Sequence, residues 1–292
     1  MIKKDYSIYF LLHIVVVILG FTAILGKLIT LNAVDLVLIR TGIAALTTFL
    51  ILLFTKRSVL IPFKSSLKLM LIGVLVALHW ITFFLAIKIS NVSVTLACLG
   101  VSTLFTAFAE PISQKRKISY LEVVIAILIV LGLATIFKFE MQYKMGIIVS
   151  VFSFILAGIF SVINKNIALQ HDSLTINFYE MLGASLSILV YILLFTDSLI
   201  DFSEIGRIDW LWLLLLGTVC TSFAFTATVK IMQKLSAYDV VLAINLEPIY
   251  GIALAYLFFG DSERMTFGFY IGTVLISIAV LGFPFLKRKF LK

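Results

Sequence analysis

A few side chains with chemistry to offer lie deep inside long apolar runs of this sequence. The most pointed is the Glu247-Pro248 pair. A carboxylate in such a run is costly unless it meets a partner, a cation or a proton. Pro248 lacks a backbone N–H and kinks a helix, which frees the carbonyl of Ile244. In hydrocarbon a freed carbonyl is tolerated beside other donors or a watery cavity. The pair therefore predicts a cation or proton site, or else a structural Glu bonded to a neighbouring helix. His79-Trp80, followed by Phe83 and Phe84, is the second constellation. An imidazole titrates near neutrality and can carry a proton. Aromatic rings can grip organic or cationic solutes by stacking and cation–π contact. The alternative is a His bonded to the next helix, with aromatics facing lipid. With 26 Phe among 292 residues, a single Phe carries no weight.

Other polar residues form stripes. Asn177, Glu180, Ala184, Ser187 and Tyr191 share one helix face, and Arg40, Ala44 and Thr47 share another. Arg40 lies about one-third in from one end of its run and Glu180 about one-third in from the opposite side, so they read as symmetry partners rather than an ion pair. Buried polar groups of this kind fix helix register or form a gate. Thr95, Ser102, Thr106 and Glu110 share a face whose hydroxyls either meet a solute or bond their own backbone. Lys27 and Asn164-Lys165 end their runs, where snorkelling to the interface is the simpler account of the lysines. His13 reads as a satisfied core residue. The candidate solute pathway is His79, Trp80, Ser102, Asn164, Asn245, Glu247 and Pro248, and the candidate gating residues are Arg40, Glu180 and Glu110.

Composition says what must position them. The chain is 62% hydrophobic and 13% charged, where an ordinary soluble domain is about 45–50% apolar and about 25% charged. Mean hydropathy is +1.17. No soluble fold of this size has the interior to hide so much apolar surface. A cytosolic enzyme, a disulfide scaffold and a disordered chain are excluded, which leaves an all-α polytopic membrane protein. Cys98 and Cys220 sit inside apolar runs and read as small buried side chains. The net charge of +8 does not point to nucleic acid, because the basic residues occupy short loops between apolar segments. There is no GxSxG, Walker A or Gly-rich dinucleotide turn, and the three His have no zinc spacing. No enzyme, ATP-driven pump, cofactor or metal site is expected.

A spanning helix needs about 20 mostly apolar residues. Ten such segments are predicted, at 7–26, 34–54, 67–87, 91–111, 120–138, 145–164, 174–195, 210–231, 239–259 and 267–286. The first follows Lys3 and Lys4 but has no small-residue cleavage site, and reads as a retained helix. Sixteen of the 23 Lys and Arg fall on the side of the N-terminus and six on the other, with Arg40 inside a helix. The bias predicts that both termini lie inside.

The halves resemble each other. Gly20–Lys27 matches Gly158–Lys165 at offset 138, Arg40 matches Glu180 at offset 140, and the Lys88-Ile-Ser segment matches Lys234-Leu-Ser at offset 146. Repeats of five helices, at 1–142 and 143–292, must cross the membrane in opposite senses. The resulting pseudo-two-fold axis in the membrane plane is a common arrangement of secondary transporters.

On these residues the chain resembles EamA-type members of the drug/metabolite transporter superfamily. The features are the GxxxxxxK ending helix 1, Leu38-Ile39-Arg40 at the start of helix 2, Ala86-Ile-Lys88-Ile-Ser90, Leu246-Glu247-Pro248, and Gly260-Asp-Ser-Glu263. The family usually has a proline near Ser102, and this chain has none there. The resemblance implies a basket of ten helices around a central cavity that moves small organic solutes, usually outward. The expectation is an inner-membrane secondary transporter, with amino-acid-like, nucleobase-like or cationic solutes as candidate cargo and protons as the candidate coupling ion. It is a monomer or homodimer in the lipid bilayer. Helices 1, 3, 4, 6, 8 and 9 are expected to line the cavity. An uncoupled facilitator, channel, sensor or intramembrane enzyme is the alternative.

Overall fold

In hydrocarbon a backbone must satisfy its own N–H and C=O groups, and the apolar runs do so as helices. The computed structural model describes residues 6–115, 117–196 and 200–290. Lys3, Lys4, Arg116 and Lys292, which entered the count of Lys and Arg, lie outside the described residues. The helices are α1 (Tyr6–Leu28), α2 (Ala33–Phe54), α3 (Phe63–Ile89), α4 (Val92–Ser113), α5 (Tyr120–Phe139), α6 (Lys144–Ala168), α7 (Ser173–Phe195), α8 (Arg207–Met232), α9 (Ala237–Glu263) and α10 (Phe267–Phe290). They fall on the ten predicted segments, and the first nine are long and apolar enough to cross a membrane. Short polar caps start them. Asn32 accepts from the Val34 and Asp35 amides at α2, Ser119 and Glu122 form a capping box at α5, and Ser236 accepts from the Asp239 amide at α9.

The two halves pack as an inverted repeat. α2 lies against α7, and α5 against α10. α3 packs on α6 and α7, while their counterparts α8 and α2 or α1 repeat those contacts. The main packed pairs are thus preserved when each helix of one half is exchanged for its equivalent in the other. Small residues allow the closest approaches. A Cβ built at Gly272 of α10 would lie 2.6 Å from the Gly132 carbonyl oxygen of α5. One built at Gly73 of α3 would run into the Glu180 backbone of α7.

Three spans are irregular. α9 is broken at Asn245–Leu246, one turn before Pro248 would have donated a hydrogen bond. α4 is broken at the equivalent place, Cys98–Leu99, without a proline. There the amides of Cys98, Leu99, Val101 and Ser102 reach back three residues instead of four. The missing family proline therefore does not straighten α4. α8 carries a π-helical turn, Thr218–Phe223.

The broken helices cap each other. Both oxygens of Glu110, at the end of α4, accept from the first amides of α9, Ala237 (2.9 Å) and Tyr238 (3.1 Å). Both oxygens of Glu263, at the end of α9, accept from the first amides of α4, Val92 (3.1 Å) and Ser93 (2.9 Å). Gly260 makes the second cap reachable: its φ of 56° and ψ of −133° suit only glycine, and the turn that follows swings Glu263 back. Lys27 adds an ion pair to Glu263 at 2.7 Å, and Lys165 donates to the carbonyls of Met232 and Leu235. Neither lysine snorkels freely, contrary to the sequence reading, because each finds a helix end within reach.

Removing one cap should loosen the bundle. Each uncovered amide costs about 1–3 kcal/mol, so Glu110→Ala is expected to lower the thermal midpoint in detergent by several degrees, with Glu110→Gln in between. An unchanged midpoint in Glu110→Ala would remove the cap from the account of stability. Gly272→Leu should be worse still, since backbone blocks the new side chain, whereas Gly206→Ala, with no atom within 4 Å of the new methyl, should leave the midpoint where it is.

Candidate functional site

A cavity of about 120 Å³ lies between the two halves. α1 contributes Leu19 and Thr22, and α2 contributes Arg40. His79, Trp80 and Phe83 come from α3, and Leu99 and Ser102 from the break in α4. Phe154, Phe160, Ser161 and Asn164 line it from α6, Cys220 and Phe225 from α8, and Glu247 from the second segment of α9. Among the described residues, α5, α7 and α10 contribute no lining residue.

Each charged or polar group is held differently. Arg40 is 1% exposed. Its Nε donates to Thr221 Oγ1 at 2.6 Å. The π-helical turn creates that partner, for Thr221 Oγ1 in turn donates to the Leu216 carbonyl five residues back. The Trp80 ring lies 3.7 Å from the guanidinium carbon and Phe84 lies 5.4 Å away. Arg40 Nη1 is buried and has no hydrogen-bond partner. Glu247 is 6% exposed, faces the cavity and makes no hydrogen bond among the described residues. It interacts electrostatically with Arg40, yet no ion pair closes between them.

His79 Nδ1 lies 2.9 Å from the Ser153 carbonyl, which can only accept, so Nδ1 carries the hydrogen. Ser153 Oγ donates back to the His79 carbonyl at 2.8 Å. This lock fixes α3 on α6 and packs the imidazole against Phe83, Phe154 and Phe160. Trp80 and Phe83 are buried, not turned to lipid.

The remaining predicted residues divide. Ser102 lines the cavity but spends its hydrogen on the Leu99 carbonyl. Asn164 lines it and donates to Glu180 Oε2 at 3.1 Å, while Asn164 Oδ1 and Glu180 Oε1 stay unpartnered. Glu180 is behind the wall, not on it. Asn245 donates to Thr103 Oγ1 and the Val241 carbonyl, which ties α9 to α4 at their breaks. Pro248 lies in the first turn of the second segment of α9, just after Glu247, and Glu110 is the cap already described; neither lines the cavity. Arg40, grouped by sequence with the gating residues, does line it, and α2 joins the expected lining helices through it. Sequence reasoning missed Thr221, Phe154, Phe160 and Phe225. A π-helical turn has no sequence signal that was available, and the three Phe were indistinguishable from their many neighbours.

The cavity is symmetric at its middle and lopsided beyond. By the repeat offsets Thr22 corresponds to Phe160, and Phe83 to Val229, and all four line it. Further out, Asn164 and Met232 line it, but their counterparts Gly26 and Ala86 do not. It therefore extends toward the face where α1 begins. On the opposite side Phe84 packs into the notch of Gly26, and Leu96 into that of Gly251.

The comparisons with known proteins agree with this architecture. The profile of the EamA-like transporter family matches residues 6–138 and 144–283, one copy per half. No protein of curated function matches the sequence. A protein of known crystal structure is similar in fold, with a TM-score of 0.72 and 14% identity over 97% of this chain and 99% of that one. With two matched copies spanning nearly all ten helices, this chain belongs to the EamA-like transporter family and is a multi-pass membrane transporter.

Proposed function

We propose that the protein is a secondary transporter that carries one small organic solute at a time through the central cavity by alternating access. The observation that supports this most is the lopsided cavity. A space lies between inversely related halves, bordered by two broken helices, extending toward one face and packed shut toward the other. An inverted repeat lets the halves exchange packings, which would shut the first face and open the second. Both termini lie in the cytoplasm, a placement supported by the excess of basic residues in the loops on that side. The working direction is export, set by the solute gradient. Glu247 is the coupling group: a buried carboxylate without a hydrogen bond can hold a proton in one state and release it to solvent in the other.

Counterflow in proteoliposomes tests the carrier reading. Vesicles preloaded with a mixed pool of amino acids, nucleobases, sugars, organic acids and organic cations are expected to accumulate a labelled member of one class transiently and saturably. A channel gives no such overshoot, so its absence for every class would overturn the carrier. Glu247→Gln should preserve folding and abolish the effect of a protonophore on net efflux. Unchanged ionophore sensitivity in that variant would exclude Glu247 as the coupling group.

A further inference from the structure

Behind the cavity wall, between α6, α7 and α8, we infer a binding site for an alkali-metal cation such as Na+. Four buried oxygens there have no hydrogen-bond partner among the described residues: Asn164 Oδ1 of α6, Asn177 Oδ1 and Glu180 Oε1 of α7, and Ser222 Oγ of α8. None of these residues is more than 2% exposed. α8 packs against both α6 and α7. The residues are linked in a chain. Asn164 Nδ2 donates to Glu180 Oε2 at 3.1 Å. Asn177 precedes Glu180 by three residues, on the same face of α7. Asn177 Nδ2 donates to the Ser222 carbonyl at 2.8 Å and to Thr226 Oγ1 at 2.7 Å. A carbonyl only accepts, so this amide cannot be turned round, and Asn177 Oδ1 is directed away from that carbonyl.

The donor set selects the ligand. All four atoms are oxygens with lone pairs, and together they carry one formal negative charge. No basic side chain answers it: Glu180 has Asn164 as its bonded partner, and the neighbouring Lys165 is spent on the carbonyls of Met232 and Leu235. A proton on Glu180 would satisfy Oε1 and one acceptor, and leave the other oxygens as they are. A metal cation answers several of them at once. Oxygen ligands suit a hard ion, and one carboxylate balances one positive charge; a divalent ion would stay half-balanced in a buried site. No cluster of three His, Cys, Asp or Glu is present among the described residues to hold a transition metal. The π-helical turn of α8 presents Thr221 to Arg40 and, one residue on, Ser222 to Asn177. Asn164 connects the site to the cavity, for its side chain lines the cavity while it donates to Glu180. An ion entering past Asn164 would fix the side chain that a solute meets.

The thermal midpoint of the purified protein in detergent reads ion binding without any transport. It is measured in choline chloride while NaCl or KCl replaces the choline salt at constant ionic strength. A ligand that binds only the folded protein raises the midpoint, so a saturable rise of several degrees is expected with at least one of the two metal salts. Glu180→Gln should raise the half-saturating concentration by at least about tenfold, because it removes the charge that holds the ion. Ser222→Ala removes one neutral ligand and should raise it several-fold, and it keeps the site testable if Glu180→Gln does not fold. No rise with either salt would overturn the cation and leave a protonated Glu180 in its place. A rise that both variants keep in full would put the ion elsewhere and overturn the site. Either failure leaves the carrier reading untouched, since counterflow tests that separately.

Discussion

Two carboxylates hold the ends of two broken helices, and the rest of the bundle is arranged around that fact. α4 and α9 each begin with amides that have no helical partner, and hydrocarbon offers none. Glu110 and Glu263 supply the acceptors, each from the far end of the other helix. The pairing fixes α4 and α9 antiparallel and in register, so their breaks fall side by side. Asn245 and Thr103 then join the breaks directly. A break in a membrane helix exposes backbone, and two breaks together create the place where a cavity is tolerable. Negative charge at a helix N-terminus is favourable in its own right, which is why a carboxylate serves here better than an amide.

The same demand explains how the other buried charges are distributed. Glu180 lies behind the wall and has Asn164 for company. Glu110 and Glu263 are consumed by backbone. Glu180 still keeps one oxygen unpartnered, and of the incompletely answered charges Arg40 and Glu247 are the two that line the cavity. Arg40 is the better supported, because the π-helical turn of α8 spends one residue's worth of helical regularity to aim Thr221 at its Nε. π-helical turns often accompany functional sites. Such a turn fits a guanidinium whose orientation matters, since it aims Thr221 at Arg40.

Ten helices, their repeat and their short loops were legible from hydropathy and offsets, since a chain in lipid has few ways to hide its backbone. The break in α9 was legible from Pro248. The break in α4 was not, because it rests on three-residue hydrogen bonds that no residue type announces. Glu110 was visible as a buried carboxylate, but its use required knowing that α9 begins beside it. The lysines were misjudged for the same reason: Lys27 and Lys165 reach partners more than 60 residues away in sequence. Arg40 was read, from its stripe and its match to Glu180 in the other half, as a residue that fixes register or forms a gate. Its place in the cavity depends on Trp80 covering its face, a contact between helices that periodicity cannot supply.

The lopsided cavity gives the inverted repeat a mechanical meaning. Gly26 and Asn164 occupy equivalent places at the ends of α1 and α6, yet Phe84 fills the first notch while the cavity fills the second. The side chains differ in bulk, so the two closures cannot be identical packings. Closing the cavity on the Asn164 side means bringing α8 residues such as Met232 toward α6, without a glycine notch to receive them. Opening the other side means withdrawing Phe84 from Gly26, against a flush aromatic-on-backbone contact. The first closure is therefore shallower and the second tighter. In the proposed alternating-access cycle the two closures differ in this way, and a bound solute must supply the differential contacts that offset the difference.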